Sequence, residues 1–234
     1  LHNRGPAPLG GLPAVAHLHP ENLTAEPDSE IVLRLTAASD CTDASLHGRV
    51  RLRAPQGWRV IPASLPFVLP PDEHLETDVV LHVPAGADPG HYPVRVELAV
   101  TGSDSGSMPP SWRQVVEDVC MVTVGDGGAE VLKLLFDPQP VDVKAGEVAR
   151  LSVTVGTEAR APLSAEAHLI SPWGTWDWLG PAAVGAEVPA GGSVEIGFDV
   201  TPPAWLEPGT WWALIRVGCA GRLRYTPAVK VTVR

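Results

Sequence analysis

The chain of 234 residues is short of several things, and each shortage excludes something. There are three cysteines, Cys41, Cys120 and Cys219, too few and too scattered for a disulfide framework or a cysteine-based zinc site. One pair could close and leave a free thiol, or all three could be buried thiols. Lysine and arginine total 17 against 27 aspartates and glutamates, for a formal charge of -10. A nucleic-acid binder would carry a basic patch, so a phosphate-backbone partner is not expected. The one candidate, Arg49, Arg51 and Arg53 alternating with Val50, Leu52 and Ala54, reads as a solvated strand face. No apolar run is long enough to span a membrane, and no secretory core follows Leu1. The start at Leu rather than Met reads as an excised or processed piece, and the compartment stays open. Lysine is also scarce beside arginine, and asparagine occurs twice, a bias of GC-rich bacterial genomes in which the Asn22-Leu23-Thr24 sequon carries no weight.

Catalytic and cofactor motifs are missing as well. The sequence has no G-x-S-x-G elbow, P-loop, G-x-G-x-x-G or H-E-x-x-H, so no catalytic residue and no cofactor are expected. Asp177 and Glu187 flank aromatics in the second half, but a glycosidase pair needs two carboxyls facing one cleft, and solvent-facing acids are the simpler reading. His17 and His19 would share one face of an extended segment, a metal half-site without a third ligand. Asp40, Thr42 and Asp43 could offer oxygens to calcium, yet they lack the acidic density of a dedicated loop and read as a turn. No metal site is expected.

What is abundant is apolar residues, 44%, together with 25 Pro and 23 Gly spread along the chain. That combination describes many short strands joined by turns. Period-2 rows confirm the strand reading. Ile31, Leu33, Leu35 and Ala37 would face inward, as would Leu75, Val79, Leu81 and Val83, and then Tyr92, Val94, Val96, Leu98 and Val100. No comparable stretch keeps a 3.6-residue period, so helix content should be very low.

The second half repeats the plan. Leu151, Val153 and Val155 follow Leu33, Leu35 and Ala37 by about 118 residues. Val194, Ile196, Phe198 and Val200 match the Leu75–Val83 row. Pro89-Gly90 and Tyr92 match Pro208-Gly209 and Trp211, and Pro55 matches Pro172. Such ordered matches read as an internal duplication. The expected fold class is all-β: two tandem immunoglobulin-like β-sandwiches of about seven antiparallel strands each, at 21–125 and 130–234, after a linker or N-terminal arm at 1–20. The Gly-rich stretch 124–130 marks the boundary.

The repeated unit resembles a bacterial module. Its elements are Pro55-Gly57-Trp58, a strand end at Val83-Pro84, and Pro89-Gly90-His91-Tyr92 opening the next strand. Together these are similar to the immunoglobulin-like domain associated with galactose-oxidase-like carbohydrate modules and α-galactosidases. In the second unit, "SPWGTWDWLGP", "EVPAGGSVEIGFDV" and "GTWWALIRVGCAGRLRYTPAV" resemble the C-terminal region of actinobacterial glycoside hydrolases, α-mannosidase-like proteins among them. The resemblance implies a non-catalytic accessory fragment of a carbohydrate-active enzyme, with the catalytic domain of the parent chain as partner. The alternative is a carbohydrate-binding module that holds a glycan on Trp173, Trp176, Trp178 and Trp212. Three tryptophans fall in the eleven residues from 171 to 181, and Trp212 with Leu214 points outward from its strand. Sugars stack on exposed aromatic faces, whereas buried packing or an interdomain contact is the competing use. Because Trp58 has its match in the "WGTW" of the second unit, Trp173 and Trp178 read as the surplus.

Overall fold

The computed structural model describes residues 7–8, 13–104, 115–127, 130–180 and 183–234. Among them there is no helix. The first half carries β1 (Ala7–Pro8), β2 (Ala14–His19), β3 (Asn22–Ala25), β4 (Glu30–Ser39), β5 (Leu46–Arg53), β6 (Arg59–Ile61), β7 (Ser64–Leu69), β8 (His74–His82), β9 (Gly90–Ser103) and β10 (Val115–Val124). The second carries β11 (Lys133–Phe136), β12 (Val141–Val143), β13 (Ala149–Gly156), β14 (Leu163–Ile170), β15 (Ala183–Val188), β16 (Ser193–Val200), β17 (Gly209–Cys219), β18 (Arg222–Tyr225) and β19 (Val229–Val233). The fold is all-β, as the alternating rows predict.

These strands form four sheets. In the first half β2-β4-β8-β6 faces β3-β10-β9-β5-β7, and in the second β11-β13-β16 faces the larger sheet β15-β14-β17-β19-β12, with β18 also on β17. Each pair of sheets shares one core, as a strand with a single apolar face requires. Leu33, Leu35, Val79 and Leu81 from one sheet pack with Val50, Val94, Val96 and Val122 from the other. Val153, Ile196 and Phe198 likewise pack with Ala167, Leu169, Ile215 and Val231. Leu33, Leu35 and Leu81 are fully buried, each contributing roughly 2 kcal/mol of transfer free energy. The bulge between His47 and Gly48 needs its glycine, since a Cβ there would stand 1.9 Å from the Ala99 carbonyl oxygen.

Part of the expected arm at 1–20 is structured. Ala14–His19 pairs antiparallel with β4 and buries Ala14, Ala16 and Leu18 in the first core, so small apolar residues at period 2 make it a strand rather than a linker. Ala7 and Pro8 pair by their backbone with Gly185 and Val184 of β15, reaching the second half. The remainder of the arm, 1–6 and 9–12, lies outside the described residues, as do 128–129 of the Gly-rich boundary.

The two halves are joined by more than that boundary. The outer face of β9 carries Arg95 and Glu97, and both are buried, Arg95 at 4% exposure. The Arg95 guanidinium bonds Glu117 on β10, donates to the Ser164 hydroxyl on β14 at 2.7 Å, and lies 3.7 Å from Glu187 on β15. Glu97 in turn pairs with Arg53 at 3.0 Å. Burial works against the Arg95 charge, but the hydrogen bond to Glu117 and the charges of Glu117, Glu187 and Glu97 outweigh it and hold its pKa above that of a free arginine. Met121 of β10 belongs to the second core, and Val119 packs against it. At the edge of this contact Arg160 donates its backbone N–H to the His91 carbonyl (2.7 Å) and its guanidinium to the Pro89 carbonyl (2.9 Å).

Candidate functional site

Two corners of matching sequence turn the chain at corresponding places. In the first, Trp58 N–H donates to the Pro55 carbonyl at 3.0 Å and Gly57 has φ of 84°. In the second, Thr175 N–H donates to the Pro172 carbonyl at 3.2 Å and Gly174 has φ of 90°. A positive φ at the third residue is the condition of a type II turn, which glycine meets without a Cβ penalty. After that the corners diverge. Trp58 is itself the fourth residue of its turn and drops into the core against Tyr92, ring centroids 4.6 Å apart. Thr175 instead anchors a second turn: its hydroxyl donates to the Pro172 carbonyl, and its own carbonyl accepts from Trp178 N–H and Leu179 N–H.

The inserted turn decides where the tryptophans go. Trp178 is buried, 6% exposed, and meets Trp211 edge-on at 5.2 Å. Since Trp211 stands where Tyr92 does, Trp178 and not Trp176 fills the slot of Trp58. The surplus is therefore Trp173 and Trp176, which differs from the pairing suggested by the linear match. Trp173 is 85% exposed, and Trp176 is 50% exposed with its indole N–H directed to the Ser171 carbonyl at 3.4 Å. Of the four expected site tryptophans, Trp173, Trp176 and Trp212 present surface to solvent, and Trp178 has its ring engaged by Trp211.

A further tryptophan belongs with them. Trp205, 75% exposed, lies in the 201–208 connection between β16 and β17. That connection is tied to the corner, because Thr201 N–H donates to the Trp178 carbonyl at 3.0 Å. It is tied equally to the β12–β13 turn, because Gly146 N–H donates to the Pro202 carbonyl at 2.8 Å. One end of the second half thus gathers three loops, and Trp173, Trp176 and Trp205 stand exposed on two of them. Trp205 has no partner in the repeat, since it lies where the second copy is two residues longer between Val200 and Pro208 than the first is between Val83 and Pro89. The signal that finds it is this length difference.

Trp212 sits at the start of the outer face of β17. By register it lies opposite Lys230, Leu214 lies opposite Ile170, and Arg216 lies between His168 and Tyr225. Tyr225 and Leu223 are more than half exposed, so this face is an open strip of aromatic, aliphatic and cationic side chains. The equivalent strip on β9, with Pro93, Arg95 and Glu97, is buried.

The other candidates fall elsewhere. His17 and His19 have rings 6.3 Å apart, and His17 Nδ1 lies 3.2 Å from Asp118, which also accepts Leu18 N–H. Asp118 therefore ties β2 to β10. Asp40 and Asp43 lie in the β4–β5 connection beside Cys41. Among the described residues no group of three or more His, Cys, Asp or Glu could hold a metal. Asp177 is exposed in the tryptophan corner whereas Glu187 faces Arg95. Arg53 is paired with Glu97, and Arg49 donates to the Ser64 hydroxyl at 2.9 Å. All three cysteines are free and buried. Burial, with a smaller push from Asp118, raises the Cys120 thiol to about 12. Burial and Glu117 raise that of Cys219 to about 12, with Arg95 opposing. Neither is poised as a nucleophile.

Fold and site together define an all-β protein of packed sheets with three exposed tryptophans, Trp173, Trp176 and Trp205, on loops at one end of its second half. Residues 25–101 match the model of the family described as the NPCBM-associated, NEW3 domain of alpha-galactosidase. This stretch contains the Pro55-Gly57-Trp58, Val83-Pro84 and Pro89-to-Tyr92 motifs that carry the resemblance. Among curated proteins none matches the chain. Among solved structures it is similar to a protein of unknown function from Porphyromonas gingivalis W83, with 19% identity over 95% of this chain and 99% of that one, TM-score 0.32. It is also similar to red sea bream transglutaminase (11% identity, 95% of this chain, 31% of that one, TM-score 0.32). A third is a family 123 glycoside hydrolase from Clostridium perfringens (10% identity, 56% of this chain, 30% of that one, TM-score 0.34). The chain spans less than a third of the length of these last two.

Proposed function

We propose that the chain is a non-catalytic accessory piece of a bacterial glycoside hydrolase, made of two tandem immunoglobulin-like sandwiches, the first extended from the expected 21–125 to take in Ala14–His19 and the second at 130–234, that supports or spaces the catalytic domain. The observation that carries this reading is the match of residues 25–101 to a domain associated with alpha-galactosidase. The geometry suits such a task. A spacer must hold its ends at a fixed distance, and the buried Arg95–Glu117–Ser164–Glu187 contact, with Met121 in the second core, resists bending at the junction. The open strip on β17 is the surface on which the parent's catalytic domain would rest, as the second half rests on the corresponding strip of β9.

The test compares two proteins on aryl α-galactosides and α-mannosides. The intact gene product is expected to hydrolyse one of these classes, and the isolated 234-residue chain none. Turnover by the isolated chain, or an intact product without glycosidase activity, would overturn the reading.

A further inference from the structure

The three loops at the far end of the second half are built differently from anything the fold needs. At the corresponding end of the first half the corner presents Gln56, and the loop before β9 presents Ala85, Gly86, Asp88 and Pro89. That end closes its core with the Trp58–Tyr92 pair and, among the described residues, exposes no tryptophan. The second half closes its core in the same way with Trp178 and Trp211, and then adds Trp173, Trp176 and Trp205 outside it. Exposed indoles cost solubility and do nothing for the core, so their use lies in what they touch.

From this we infer that Trp173, Trp176 and Trp205 form a binding site for a neutral carbohydrate, with the indole rings stacking on the C–H faces of pyranose units. Three observations select that ligand. The rings are large and flat, and they order at the cost of only two side-chain torsions each. Their loops are fixed beforehand: Trp178 and Trp211 pin the bases of both tryptophan-bearing loops, Thr201 bonds the Trp178 carbonyl, and Trp176 is held by its own N–H on Ser171. Preorganisation of this kind lowers the cost of binding. The charged groups on these two loops are the exposed carboxylates Asp177 and Glu207, and the β12–β13 turn beside them adds Lys144 and Glu147, so carboxylates predominate at this end. Carboxylates accept hydrogen bonds from sugar hydroxyls and repel phosphates, sulfates and uronates, which separates an uncharged glycan from an anionic lipid surface or an acidic polymer. Trp178, buried beneath, is a positioning residue and not a ligand contact. The site stands independently of the accessory role, since a spacer works without it.

The full chain would be run through native gels containing galactomannan, amylopectin, mixed-linkage β-glucan or arabinoxylan, with tryptophan emission followed in parallel titrations. Retardation by at least one of these polymers and a saturable emission shift are expected. The Trp173→Ala/Trp205→Ala double variant should bind at least about tenfold more weakly, as loss of aromatic anchors does, with an unchanged melting temperature. Polygalacturonate and vesicles of phosphatidylcholine with phosphatidylglycerol are the competing probes. No retardation by any neutral polymer, binding that survives in the folded double variant, or binding to polygalacturonate or vesicles alone would each overturn the assignment.

Discussion

The two proline-glycine corners begin with the same turn and end in different places. At Pro55–Trp58 the turn delivers its fourth residue straight into the core, and β6 follows at once. At Pro172–Thr175 the fourth residue is a threonine whose hydroxyl and carbonyl start another turn, and the core slot is filled three residues later by Trp178. The difference teaches that the position of an aromatic after a turn does not fix its role. The pair that must be made, Trp58 on Tyr92 or Trp178 on Trp211, selects which aromatic goes inside. The others are left for the surface.

That equivalence can be broken most forcefully by truncation. Trp58→Ala and Trp178→Ala should each cost about 3–5 kcal/mol in denaturant unfolding, the usual loss for a buried tryptophan. Trp176→Ala, half exposed, should cost far less. If Trp176→Ala proves as damaging as Trp58→Ala and Trp178→Ala proves mild, the assignment of the core slot is reversed.

The outer strips of β9 and β17 supply the next contrast. Arg95→Met removes the cation that faces Glu117 and Glu187 and should destabilise the protein by about 3 kcal/mol or more, because Glu117, whose side chain is only 17% exposed, loses its partner while Glu97 keeps Arg53. Arg216→Met, on the open strip, should change stability by less than about 0.5 kcal/mol. Thermal unfolding of the two variants decides it, and equal effects would mean that the β9 strip is no more enclosed than the β17 strip.

The legibility of these features from sequence follows the same divide between local and non-local causes. The rows Leu33/Leu35/Ala37 and Ile196/Phe198/Val200 are readable because a half-buried strand repeats every two residues whatever lies around it. Pro55-Gly57 and Pro172-Gly174 are readable because a turn imposes its own chemistry. Arg95 and Glu97 are not readable, since charged residues alternating with valines describe a solvated face until a second body covers it. The role of Trp178 is hidden for a related reason: spacing from the proline counts residues, while the core counts space. Trp205 escapes because a repeat comparison passes over residues that have no counterpart. Ala14–His19 escapes because alanine at inward positions gives weak contrast.

Smaller effects test the shared turn itself. Gly57→Ala and Gly174→Ala place a Cβ at positive φ with nothing within 4 Å to clash, so the cost is conformational alone, roughly 1–2 kcal/mol at either corner. Near-equal losses in urea unfolding are expected. A loss at one corner only would mean that the two turns are not the same device.

The smallest expected change concerns the residue between proline and glycine, Gln56 in one corner and Trp173 in the other, both outside the core. Exchanging them, as Gln56→Trp and Trp173→Gln, should move stability by no more than about 0.5 kcal/mol each, within the range of surface substitutions. An unfolding midpoint unchanged in both variants would show that Trp173 is dispensable to the fold, which a ligand contact requires. A cost for Trp173→Gln approaching that of Trp178→Ala would mean that the ring packs on the protein, and the tryptophan end would then be a reinforced corner like any other.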